Sequence, residues 1–172
     1  EQVQRSGPLP AGALTGETPV ALSEVRPDEQ PRIVTGLGEL DRVLGGGLVP
    51  GSLVLLGGDP GIGKSTLLLQ FLQGLCSAEV GAPVLYISGE ESAAQVALRA
   101  RRLQATARGL RVLSETRLSA ILAEAERVQP RVLALDSIQT IQVEGIDSVP
   151  GSVTQVREAA LRLLPFAKER GV

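Results

Sequence analysis

Histidine, methionine and tryptophan are absent from this 172-residue sequence, cysteine occurs once, and aromatic residues make up 2%. Without histidine, no His-based triad, proton relay or metal site can be assembled within the chain. The lone Cys76 excludes an intrachain disulfide framework. Set in an apolar stretch, it reads as a small core residue. No apolar run reaches the length of a membrane span, and the first residues carry no secretory pattern. A reducing, cytoplasmic setting without a membrane partner is therefore expected. The net charge is −2, so no global basic field gathers nucleic acid and any DNA contact has to be local. Hydrophobic residues at 43% and charged residues at 21% suit a single globular domain with a real core.

What is abundant is glycine, and its placement is informative. Gly58-Asp59-Pro60-Gly61-Ile62-Gly63-Lys64-Ser65 reads G-x-x-x-x-G-K-S. The apolar run Ser52 to Gly57 predicts a strand leading into it, and Thr66 to Leu75 predicts a helix leading away. That context makes the string a phosphate loop. Glycines let backbone N–H groups converge on an anion, and the helix start adds partial positive charge. Gly58 through Thr66 are the candidate nucleotide-binding residues. Lys64 would reach the β and γ phosphates of a bound nucleotide, and the Ser65 hydroxyl would ligate Mg²⁺.

Residues 1–31 are broken by Pro8, Pro10, Pro19, Pro27 and Pro31 and read as a linker. Folded structure is expected from Arg32 onward, with a short helix over Leu37 to Leu44. Predicted strands at Pro83 to Ser88, Arg111 to Leu113 and Arg131 to Asp136 alternate with predicted helices. These helices span Glu91 to Leu103 and the periodic stretch Leu118 to Val128. Alternation predicts an α/β fold, a mostly parallel sheet with helices on both faces. Ser152-Val153-Thr154-Gln155 resembles a capping box opening a last helix, which Pro165 should kink or shorten. Arg170-Gly171-Val172 reads as the approach to a further strand, so a C-terminally truncated core is expected.

Arg131-Val132-Leu133-Ala134-Leu135-Asp136 is an apolar strand ending in an acid, a Walker B pattern. Ligands in parallel sheets sit at that edge, and Asp136 is the second candidate Mg²⁺ residue. Ser137 stands where many such ATPases carry a glutamate, so the group that orients water must come from elsewhere. Ser88-Gly89-Glu90-Glu91 ends a neighbouring strand. Glu90, with Lys64, is the candidate catalytic pair, and Glu91 is the second choice for the base. Both acids also suit a helix start. The polar segment Gln139 to Ser152 fits either a nucleotide-sensing loop or an ordinary surface loop.

Several blocks together resemble a known family. They are Thr35 to Gly47 with Pro50-Gly51-Ser52, Gly57 to Gln70, Tyr86 to Ser92, Leu113-Ser114-Glu115-Thr116, Asp136-Ser137-Ile138-Gln139 and Pro150 to Glu158. The chain is similar to RecA-type ATPase cores and, among them, to the bacterial RadA (Sms) family. The resemblance implies a DNA-dependent ATPase of recombination and repair, hexameric on single-stranded DNA and branch-migrating recombination intermediates. A recombinase partner is also possible on that reading. It implies nucleotide and Mg²⁺ at Lys64, Ser65 and Thr66, a Walker B acid at Asp136 and water activation at Glu90. It further implies a DNA-facing segment near Val149 to Arg157, with Ser152, Gln155 and Arg157 as candidates. The family's zinc belongs to a four-cysteine module that would precede residue 1, so residues 32–172 would form a partial RecA-like core. Two other readings compete: a KaiC-like signalling ATPase, and a non-hydrolysing, nucleotide-gated oligomeric scaffold.

Overall fold

A computed structural model describes residues 31–78 and 83–172, together with Ala21 and Ser23. The linker expected over residues 1–31 thus lies almost entirely outside the described residues. In order, the elements are α1 (Gly38–Val43), α2 (Lys64–Ala78), β1 (Val84–Ser88), α3 (Ala93–Arg102), β2 (Leu110–Ser114), α4 (Leu118–Val128), β3 (Val132–Asp136), a 3₁₀ turn (Ile138–Thr140) and α5 (Val153–Arg170).

The three strands form one parallel sheet ordered β2-β1-β3. Central β1 is buried along its whole length, and its alternate residues serve opposite faces. Val84 and Tyr86 join Leu69, Leu72, Val96 and Ala100 from α2 and α3. Leu85 and Ile87 join Leu118, Ile121, Ala159 and Leu163 from α4 and α5. Helices therefore cover both faces, as a parallel sheet requires. This is the α/β core, a parallel sheet with helices on both faces, that the alternation predicted. Cys76 packs half-buried against the first cluster, and burial raises its thiol pKa.

Ser52 to Gly57 departs from expectation. Within the described residues it pairs with no strand, and Leu53, Val54, Leu55 and Leu56 are 50, 52, 81 and 41% exposed. Both edges of β1 are taken by β2 and β3, and the run reaches neither outer strand. Apolar composition allows a strand, but only a neighbouring ladder makes one. The run is anchored at its start, where the Gly51 amide donates to the Val172 carbonyl at 3.2 Å.

Helix α5 also differs. It runs through Pro165 for 18 residues and is not shortened. Pro165 and Leu161, one turn earlier, are both exposed. The carbonyl that loses its helical donor can therefore bond to water. At the helix start only half of the predicted capping box forms. Ser152 accepts from the Gln155 amide at 3.3 Å, while the Gln155 side chain turns inward. The full reciprocal box opens α3 instead, between Ser92 and Gln95.

Candidate nucleotide-binding and hydrolysis site

Helix α2 runs antiparallel to the strands. Gln73 accepts from the amide of Ala107, just before β2 begins, at 2.9 Å. Leu69, one turn earlier in α2, lines a groove with Val112, farther along β2. Going back along α2 thus means going forward along β2. Lys64 lies roughly 14 Å along the helix from Gln73, close to the roughly 16 Å length of a five-residue strand. The start of α2 therefore points to the C-terminal edge of the sheet, where β1 and β3 also end.

The loop before α2 has the backbone that phosphate binding needs. Gly61 and Gly63 have φ of +80° and +102°, and a Cβ at either would meet open space. Side chains seldom adopt that conformation, so the requirement here is for glycine's backbone freedom. The first N–H groups of a helix lack carbonyl partners; Leu67 donates back to Gly63 at 2.9 Å. The Lys64 ammonium folds over the loop and donates to the carbonyls of Gly58 at 2.7 Å and Asp59 at 2.9 Å. Ile62 is 68% exposed at the loop tip. Pro60 is exposed as well, and Ser65 and Thr66 are half-buried in the first turn.

At the edge of the sheet, Asp136 ends β3 opposite Ser88 of β1. The next residue, Ser137, donates its hydroxyl to Glu90 Oε1 at 3.5 Å. The candidate Walker B acid and the candidate base are thus neighbours through one serine. The turn that carries the two glutamates is held from both sides. Ser88 Oγ accepts from the Glu91 amide at 3.0 Å, and Ser114 Oγ donates to the Glu91 carbonyl at 3.1 Å. Glu90 itself is exposed. Glu91 is instead paired with Arg99 at 2.8 Å. Among the described residues, no hydrogen bond or ion pair joins the phosphate loop to Asp136 or Glu90.

Two residues of this edge escaped the sequence reading. The Tyr86 hydroxyl donates to Asp136 Oδ2 and accepts from Arg99 at 2.9 Å. Burial, then the bond to Asp136, pushes the Tyr86 phenol well above its usual range. Arg99 lies in α3 and Glu91 in the turn before it, so only the packing of α3 beside the strand ends brings the two together.

Asp136 and Ser65 are hard oxygen donors of the kind Mg²⁺ prefers. Asp136 Oδ1 makes no hydrogen bond among the described residues, whereas Oδ2 is committed to Tyr86. The donor set therefore fits the ion.

The predicted DNA-facing candidates separate. Arg157 is exposed and Ser152 half-buried. Gln155 is 1% exposed; its carbonyl accepts from the Val143 amide at 2.7 Å, and its amide donates to Ser148 at 2.9 Å and Ile146 at 3.4 Å. Its side chain organises the loop from within and is turned away from solvent. Buried Ile141 and Val143 anchor the same loop, as does a bridge between Arg117 and Gln142.

Residues 33–124 match the family described as ATPase: KaiC. The chain belongs to this KaiC-type ATPase family. It is 57% identical to the DNA repair protein RadA of Pseudomonas aeruginosa over 150 residues, covering 87% of this chain and 32% of that protein. Identity is 52% over 151 residues to DNA repair protein RadA of Escherichia coli, covering 88% of this chain and 32% of that protein. It is 49% over 158 residues to DNA repair protein RadA of Bacillus subtilis, covering 92% and 34%. The chain thus spans about a third of the length of these curated relatives. The KaiC-type match places the two glutamates, Glu90 and Glu91, inside the ATPase family region. No helix among the described residues is long and apolar enough to cross a membrane.

Proposed function

We propose that this chain is the ATP-hydrolysing part of a DNA repair protein that works on single-stranded DNA and recombination intermediates. The observation that carries the ATPase chemistry is the pairing of Asp136 and Glu90 through Ser137 at the strand edge toward which α2 points its start. The likeness to the RadA proteins supports the repair role. On this reading the loop from Gly58 to Thr66 cradles the ATP phosphates, and Lys64 leaves its two loop carbonyls to bond them. Ser65 and Asp136 would hold Mg²⁺, which when bound neutralises charge on the phosphate oxygens.

Glu90 is the group that orients water and takes its proton. Glu91 is less suited, because Arg99 already holds its carboxylate. Single-stranded DNA would meet the segment from Val149 to Arg157, with Arg157 as the exposed cation. A hexameric ring in the cytoplasm and a recombinase partner complete the proposal. They rest on the resemblance alone.

The test is ATP turnover against single-stranded DNA concentration in the intact protein. Turnover should rise with DNA, and Glu90→Gln should abolish it while ATP still binds. Turnover that stays flat across DNA concentrations would favour a KaiC-like signalling role, which the family match also accommodates. A Glu90→Gln protein with unchanged turnover would remove the assigned base. Nucleotide-dependent assembly with no turnover at all would favour a scaffold.

A further inference from the structure

One polar cluster surrounds Asp136 beside the proposed site. The Arg99 guanidinium reaches three partners at once: Glu91 at 2.8 Å, the Tyr86 hydroxyl at 2.9 Å and Asp136 at 3.7 Å. Tyr86 is 0% exposed and passes the contact on to Asp136 Oδ2. The four residues come from β1, the turn after it, α3 and the end of β3. A buried phenol and a half-buried guanidinium aimed at one carboxylate oxygen is more than surface pairing accounts for.

We propose that Arg99 and Tyr86 form a positioning clamp, which fixes the Asp136 carboxylate with one oxygen bound and one free, and which reserves Glu90 as the base by holding Glu91. The clamp rests on the ATPase reading of the edge. Its geometry gives each part a task. Tyr86 and Arg99 both address Oδ2, so the carboxylate cannot rotate without breaking two contacts, and Oδ1 is the oxygen that remains. Arg99 takes the Glu91 carboxylate, so only the exposed Glu90 is free to meet water. Arg99 and Tyr86 touch neither the phosphate loop nor the water. They act through Asp136 and Glu91, as outer partners of a metal ligand do.

The chain carries its own probe. Tyr86 is the single tyrosine and tryptophan is absent, so tyrosine emission from the 172-residue chain reports this cluster alone. An excited phenol is a strong acid, and a carboxylate that accepts its hydrogen quenches it. Emission should be low in the unaltered chain without nucleotide and should rise in Asp136→Asn. Arg99→Lys, which keeps the charge but is one bond shorter than the guanidinium arm that reaches Glu91, Tyr86 and Asp136, should also change it.

In turnover, Tyr86→Phe and Arg99→Lys should lower kcat by about 10-fold or more. KM for ATP should stay within about twofold, because the phosphate loop is untouched. Urea unfolding of each variant separates lost positioning from lost fold. Equal emission in the unaltered chain, Asp136→Asn and Arg99→Lys overturns the clamp. So does a fall in kcat no larger than the fall in folded fraction. If the intact unaltered protein shows no turnover, the ATPase reading fails, and the emission series still decides whether the clamp exists.

Discussion

Gly89 and Thr140 meet so closely that a Cβ on residue 89 would fall 1.8 Å from Thr140 Oγ1 and 2.6 Å from its Cβ. The threonine cannot swing aside freely, because its hydroxyl donates to the Ser137 carbonyl at 2.7 Å. The contact presses the turn that carries Glu90 against the turn that follows Asp136. Gly89→Ala is expected to destabilise the chain by about 1–3 kcal/mol through overpacking. It should also lower ATP turnover beyond the loss of folded protein, because Glu90 moves with the turn. Urea unfolding and turnover on the same preparation check both.

Among the described residues, Lys64 bonds only to carbonyls of its own loop, in an exposed setting. Lys64→Ala should therefore leave stability without nucleotide within about 0.5 kcal/mol of the unaltered chain. ATP affinity should fall to the detection limit. Calorimetric titration with ATP and a denaturant curve separate the two effects. A large loss of stability would show that the lysine holds the loop together.

Gln155 and Arg157 sit two residues apart and should behave in opposite ways. Gln155→Ala leaves the Val143 amide and the Ser148 carbonyl without their partners, so it should cost about 1–3 kcal/mol. Hydrogen exchange at the Val143 amide should speed up with it. Arg157→Ala should leave stability within about 0.5 kcal/mol. If Arg157 meets a DNA phosphate, the same change should reduce the salt slope of single-stranded DNA binding by about one. An unchanged slope would remove Arg157 from the contact.

Glu115 is held at about 2 by side-chain and backbone hydrogen bonds from Arg117 and Thr116. Its folded pKa lies below the ordinary 4.5, so its contribution to stability is present above 4.5 and is lost as pH falls toward 2. Arg117→Ala should remove part of that contribution at neutral pH and flatten the acid limb of the stability curve. The two proteins should converge only below pH 2, where the carboxyl is protonated in both states. Denaturant midpoints taken across that range test the sign.

Much of this molecule could be read from local pattern. The glycine turn before α2 was legible because Gly61 and Gly63 answer a backbone need that no other residue meets easily. The strands ending at Ser88 and Asp136 were legible from short apolar runs, and α4 from its helical period. Their alternation was enough to imply helices on both faces of a parallel sheet. The relation of Glu90 to Asp136 followed from parallel order alone, since parallel strands end at one edge.

What pattern could not supply were facts about neighbours distant in sequence. Ser52 to Gly57 has the composition of a strand, yet strand identity depends on a hydrogen-bonded partner that composition does not contain. Pro165 is tolerated in α5 because the turn around it faces outward, and exposure is set by the whole fold. Gln155 looked like a surface polar residue until the loop from Ile141 to Ser148 closed over it with unpaired backbone groups to satisfy. Arg99 and Tyr86 lie 37 and 50 residues from their shared target only as letters; sheet register and helix packing bring them to Asp136. Local propensity decides what each segment can become, while the long-range placement of donors and acceptors comes only with the packed core.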